Sequence, residues 1–460
     1  MTQSKMKKTI PAHYANKGNL LEGSITKHLM RLTIPMVWGI GIIISFQLVD
    51  IYFISRLGKE SLAAVSFTFP VTYAIFVVSM GFSIAMSSVI SRLIGEGDKE
   101  SVNRVTTQGL LLTLICSVVL SLLAYIFQKP IFQLMGADET LLPITLSYMS
   151  IWLLSMPFLS LPMVGNSSIR AGGDAMTPAI IMTASALTNL ILDPLLIFGL
   201  AGFPELGVEG AAWATLIANV VAMVAGLYVL VFVKKRAHIK WLADLSDFKD
   251  TTKRLLVIAL PVGITSLILP ITNAVIIGLL SSISVEAVAS FGIATRVEAF
   301  AFIVLMALST AMAPIIGQNW GAGDFNRVYE TLKKSIKFNV LWSLAIAVVL
   351  VLLGKQIAGL FSDDPAIIEL TQMFFWIVPL SYALSNLANG WMSAFNAMGK
   401  PKRSLVMMLV KYIVMLLPAL WVGQLYGIVG IFSAIAFVNI LSGLGFHILS
   451  WRACKACETQ

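Results

Sequence analysis

The chain carries little charge. Of its 460 residues 12% are charged and 58% are hydrophobic, and that charged share is roughly half of what a soluble domain carries. Mean hydropathy is +0.87. This composition excludes an ordinary soluble enzyme, a disordered chain and a nucleic-acid binder, all of which need far more polar surface. Three cysteines cannot build a disulfide framework, and Cys454-Lys-Ala-Cys457 is a single pair without a second. The four histidines, at 13, 28, 238 and 447, are scattered and match no metal spacing. No metal and no cofactor are expected. A membrane enzyme would need His, Asp or Glu clustered at one membrane face, which the sequence lacks. The first 28 residues contain Lys5, Lys7, Lys8, Lys17 and Lys27 but no apolar core, so they do not read as a secretory signal.

What the chain has is long apolar runs. Crossing a hydrocarbon layer of ~30 Å takes roughly 20 residues. Twelve runs reach that length, near 29–55, 61–91, 105–127, 143–168, 177–200, 210–233, 254–281, 287–317, 336–359, 366–396, 403–424 and 428–450. They are numbered here as spans 1 to 12. The expected fold is an all-α polytopic membrane protein of two six-helix lobes around a V-shaped cleft. A tail (1–28), an N-lobe (29–233), a linker (234–253), a C-lobe (254–451) and a second tail (452–460) complete the division. With both ends cytoplasmic, 26 of the 32 Lys and Arg face the cytoplasm. Arg56, Lys59, Lys129 and Lys355 face outward, and Arg296 and Lys411 lie within spans. That asymmetry is a positive-inside signal. It accounts for the net charge of +9 as a topology determinant and a contact for anionic lipid.

The two halves repeat. A shift of 226 residues places Met80-Gly-Phe-Ser-Ile-Ala-Met86 on Met306-Ala-Leu-Ser-Thr-Ala-Met312 and Gly95-Glu-Gly-Asp98 on Gly321-Ala-Gly-Asp324. Asp138 falls on Asp364, Ala171 on Ala397 and Gly173 on Gly399. Six spans per repeat make both halves run the same way, a parallel repeat about an axis normal to the membrane. Such lobes favour alternating access by rocking. The halves differ where charge matters: Asp50 maps to Ile276 and Asp193 to Ala419.

An aspartate inside a span costs about 2.5–3.5 kcal/mol on insertion scales, so it usually faces a cavity and has a task. Asp50 and Asp193 lie about five and seven residues from the outer ends of spans 1 and 5, at similar depth. Asn189 shares a helix face with Asp193. Pro194 lacks an N–H and leaves the Leu190 carbonyl without its helical donor. Two carboxylates kept from water cannot both ionise cheaply, so the group suits a proton or cation site; the plainer alternative is that each aspartate pins a neighbouring helix. Pro35, on the face of Asp50 in span 1, is either a bending point or a static entry kink. Arg296 and Glu298 are two residues apart and do not face each other. Either they reach different partners or one lines the cavity, and Glu298 and Arg296 are both candidates for the latter. Lys411 is expected to snorkel toward the cytoplasm, and His447 to pack in the last span.

Pro35 followed by Val49-Asp-Ile-Tyr-Phe-Ile-Ser-Arg-Leu-Gly58 resembles span 1 of the multidrug and toxic compound extrusion (MATE) transporters. Asn166…Arg170-Ala-Gly-Gly-Asp174, Asn189…Asp193-Pro194 and Gly317-Gln-Asn-Trp-Gly-Ala-Gly323 are similar to that family in the same order, and the resemblance runs from about residue 22 to 450. It implies twelve helices, two lobes, a central cleft and export of amphipathic, often cationic compounds in exchange for protons or sodium. The resemblance is closest to the DinF-like branch. It implies a cation site at Asp50, Asn166, Asn189 and Asp193, joined by Thr215, with bending at Pro35. The acids that NorM-like members carry in spans 7 and 10 are absent here, and span 10 has amides around Asn386-Leu-Ala-Asn389. That departure favours N-lobe proton coupling. The reading is therefore a proton-coupled multidrug exporter of a bacterial inner membrane, a monomer with both termini cytoplasmic. Sodium coupling and a lipid-linked-substrate flippase of the same superfamily are the alternatives.

Overall fold

The structure is a computed structural model that describes residues 19–238, 240 and 245–456. Inside a bilayer the backbone must satisfy its own polar groups, and every apolar run folds as a helix. In the N-lobe these are α1 (Ile25–Ser55), α2 (Lys59–Glu96), α3 (Lys99–Leu134), α4 (Leu141–Ala171), α5 (Met176–Phe198) and α6 (Val208–Tyr228). The C-lobe begins with α7 (Phe248–Ser281). Span 8 is broken into α8 (Val285–Ala301) and α9 (Ile303–Gly321), and span 9 is α10 (Phe325–Gly359). Span 10 comprises α11 (Pro365–Ile377) and α12 (Tyr382–Ala397). Span 11 comprises α13 (Pro401–Leu409), a π-helical stretch (Val410–Leu416) and α14 (Leu417–Gly423), and span 12 is α15 (Gly427–Ala456).

The helical run from Pro401 to Arg452 has 52 residues, about 78 Å at a rise of 1.5 Å per residue. It cannot be one crossing. A 3-10 turn at Gln424–Tyr426 and a left-handed Gly427 (φ 66°) split it into two. The observed helices extend a few residues past most expected spans, because a helix continues into the headgroup region until a cap stops it.

The repeated aspartates are those caps. Asp98 accepts from the Ser101 N–H at 3.0 Å, and its mate Asp324 accepts from the Arg327 N–H at 3.1 Å. Asp138 accepts from the Leu141 N–H and Asp364 from the Ala366 N–H, both at 2.8 Å. Burial opposes ionisation of Asp98, but the Ser101 hydroxyl and N–H outweigh it and hold the carboxyl below its ordinary value.

The lobes meet at the face that carries most of the basic residues. Ser88 donates to the Asn396 carbonyl at 2.5 Å, at the end of span 10, and Gln318 donates to the Ala171 carbonyl at 2.7 Å, at the end of span 4. An apolar cluster unites Leu20, Ile25, Leu29, Leu32 and Met36 with Ile315, Trp391 and Phe395 across the interface. Farther into the membrane, Tyr73 donates to the Ser266 carbonyl at 3.4 Å. Beyond that level no hydrogen bond joins the lobes among the described residues.

Candidate functional site

The N-lobe site is assembled from four helices. α1 brings Asp50, α5 brings Asn189 and Asp193 one turn apart, α6 brings Thr215 and α4 brings Tyr148. Asp193 is 1% exposed and Asp50 is half-buried. The two carboxyl groups are neighbours close enough to interact. Two carboxylates side by side and shielded from water cannot both ionise cheaply, so the pair favours keeping a proton. Asn189 donates through Nδ2 to Asp193 Oδ1 at 3.1 Å and lies 3.5 Å from Thr215 Oγ1. The second oxygen of Asp50, Oδ1, is buried without a hydrogen-bond partner. Ile54, Tyr148, Ile197 and Val208 pack together beyond the pair and close it with apolar surface. Tyr148 is close enough to feel the charge of both aspartates.

The structure does not bring Asn166 to this group. It lies five residues from the basic end of α4, and the 18 residues separating it from Tyr148 correspond to about 27 Å of helix. Its Oδ1 is buried and unpartnered. Pro35 lies well inside α1, which runs unbroken through it.

In the C-lobe the positions matching Asp50 and Asp193 are apolar, and Ile276 is core. Glu298 and Arg296 point to opposite sides of α8. Glu298 accepts a hydrogen bond from the Tyr382 hydroxyl, while Arg296 is exposed. Lys411 does not snorkel: it is 2% exposed, and its Nζ donates to Ser385 Oγ at 2.9 Å. The π-helical stretch around it turns the side chain into the lobe instead of along the span. Asn386 and Asn389 belong to a network with Asn339 and Ser343 on α10, which pins spans 9 and 10 together. His447 is packed, accepting from the Trp391 indole N–H at 3.1 Å. Of the Cys454–Cys457 pair, Cys454 is buried and Cys457 lies outside the described residues.

The MatE family model matches residues 35–195 and 261–422. The chain belongs to the MATE family. The two matched segments begin 226 residues apart, the offset of the internal repeat, so the model recognises each lobe separately. Among relatives, a protein of Shewanella oneidensis named an FAD transporter is 38% identical over 96% of this chain and 97% of its own length. The multidrug export protein MepA of Staphylococcus saprophyticus is 28% identical over 93% and 94%. Among solved structures, the MATE transporter VcmN of Vibrio cholerae in its bent form superposes with a TM-score of 0.88 at 29% identity, over 94% of this chain and 97% of that one. An outward-facing multidrug resistance MATE transporter gives 0.89 at 26%, over 97% and 99%. This MATE protein is thus a multi-pass membrane protein related to multidrug efflux transporters. Tyr148 was not foreseen, since a tyrosine in an apolar span raises no alarm.

Proposed function

We propose that this chain is a secondary active exporter of amphipathic compounds, driven by protons and coupled through the Asp50–Asp193 pair. The observation that carries the reading is that α1 and α5 place Asp50 and Asp193 side by side, next to the apolar cluster of Ile54, Tyr148 and Ile197. One retained proton lets the two carboxyl groups stay adjacent at low cost. When the proton leaves, two anions face each other in a poorly hydrated pocket and must separate or find a cation. Asp50 sits on α1, so the change is transmitted to a helix that also lines the lobe interface through Leu29, Leu32 and Met36. Pro35 weakens α1 inside that interface stretch, between Leu32 and Met36, and supplies the bending point.

A ligand shifts such an equilibrium only by its differential affinity for the two states. Substrate entering from the basic, cytoplasmic face favours the ionised pair; protons arriving from outside favour the closed pair and release. Each inward proton gains about 2.3 kcal/mol per 100 mV of membrane potential. Thr215 and Asn189 support Asp193. The protein is read as a bacterial inner-membrane antiporter, monomeric and without enzymatic activity. Organic cations are the first substrates to test, in line with the MepA relatives. A second reading takes a flavin nucleotide as substrate, favoured by the 38% identical FAD transporter.

The test is efflux of ethidium from proteoliposomes under separately imposed proton and sodium gradients. Proton-driven export is expected, reduced at least tenfold in Asp50→Asn and in Asp193→Asn while substrate binding persists. Full proton-driven efflux by Asp50→Asn overturns the coupling assignment.

A further inference from the structure

The inner half of span 8 packs on the N-lobe, and its outer half carries an exposed cation deep in the span. In its inner half, α9, Gly317 and Gly321 lie against Ser91 and Arg92 of α2. The outer half, α8, packs mainly on spans 7 and 10 of its own lobe. Phe291 meets Phe374 of span 10 edge-on at 6.0 Å, and Glu298, seven residues on, keeps to the same side and is taken by Tyr382. Arg296, two residues before Glu298, points away from that side and is exposed. It is 11 residues from the outer end of α8, about 16 Å down the span. It makes no ion pair and no hydrogen bond to another described residue.

A guanidinium at that depth is costly against lipid and is retained where it lines water or meets a ligand. Its fork of donors matches an oxyanion, above all phosphate. Phe300, one turn on, is also exposed and offers an aromatic surface beside it. The opposite wall of the cleft belongs to the lobe that holds both aspartates. We propose that Arg296 is a cationic subsite on the C-lobe wall that receives the phosphate of an amphipathic aromatic substrate. The proposal rests on the export reading and gives chemical content to its flavin-nucleotide alternative. It predicts that one cleft serves organic cations and phosphate-bearing aromatics at different walls.

The experiment compares export of flavin mononucleotide, riboflavin and ethidium from the same proteoliposomes. Riboflavin carries the same ring system without phosphate. Arg296→Gln is expected to lower the ratio of flavin mononucleotide to ethidium export at least tenfold, with the riboflavin-to-ethidium ratio changing less than twofold. Arg296→Lys, which keeps the charge, is expected to recover most of the loss. Measurable ethidium export by each variant shows that it is folded. An unchanged nucleotide ratio in Arg296→Gln overturns the subsite, as does an equal fall in the riboflavin ratio. Wild-type vesicles that move ethidium but not the nucleotide overturn the subsite and leave the export reading standing; vesicles that move none of the three overturn both.

Discussion

Gly95 and Gly321 are repeat mates, and each rests on the backbone beside the other. A side-chain carbon on Gly95 would stand 2.0 Å from the Gln318 carbonyl oxygen, and one on Gly321 would stand 2.2 Å from the Arg92 carbonyl oxygen. Neither obstacle is a flexible side-chain tip. The two helices therefore cross at the pseudo-two-fold axis with backbone against backbone, and glycine is required at both positions by approach rather than by dihedral angle.

A methyl group at either position must push the lobes apart at the basic face. Gly95→Ala and Gly321→Ala are each expected to shift the protein away from the state closed at that face. The measurement is spin-label distance across the interface, between cysteines introduced at Lys99 and Arg403. The distance should broaden toward longer values in both variants, and proton-driven export should fall at least tenfold. Distances matching the unsubstituted protein would show that the crossing is not the gate.

How much of this was legible depended on what disturbs an apolar pattern. The spans were readable because the bilayer imposes length and helicity on them. Asp50 and Asp193 were readable because a carboxylate in such a run stands out. Asn166 was drawn to the site by motif resemblance, yet spacing along α4 puts it about 27 Å of helix from Tyr148. Tyr148 itself was silent, lying 45 residues from Asp193 in a span where tyrosine is unremarkable. Lys411 was misplaced because snorkelling assumes a regular helix. A π-helical stretch changes which way a residue points, and no residue type announces it.

Lys411 carries a stability prediction. It is fully enclosed, its Nζ is held by one hydroxyl and lies 5.3 Å from the Tyr412 ring centre, and no carboxylate pairs with it among the described residues. Replacing buried ionic groups with apolar side chains of similar volume is often neutral or stabilising, by about 1–4 kcal/mol. Truncation instead leaves a cavity, at a cost of about 2–5 kcal/mol for large buried side chains. Lys411→Met is thus expected to melt at or above the temperature of the unsubstituted protein in detergent, and Lys411→Ala several degrees below it. A Met variant that melts lower than the Ala variant would mean that the ammonium itself holds spans 10 and 11 together.

The segment before α1 makes the last prediction. Leu20 is fully buried, and its N–H donates to Gln318 Oε1 at 3.3 Å. Its carbonyl accepts from Asn319 Nδ2 at 3.2 Å and from Arg327 Nη2 at 3.0 Å, while Arg327 Nη1 reaches the Gly23 carbonyl at 2.9 Å. Gln318 also holds the Ala171 carbonyl of the N-lobe, so this short strap, the end of span 4 and the end of span 8 share one hydrogen-bonded joint. Hydrogen bonds from a charged donor contribute about 1.5–3 kcal/mol each, and Arg327→Ala removes two from the strap at once. Local opening sets the rate of cleavage when reclosing is fast. Arg327→Ala is therefore expected to raise the rate of limited proteolysis between residues 19 and 24 by at least tenfold. Lys337→Ala, which removes an exposed basic residue farther along α10, should leave that rate unchanged. Equal cleavage of Arg327→Ala and the unsubstituted protein would show that Leu20 burial alone holds the strap, with the arginine contributing nothing to it.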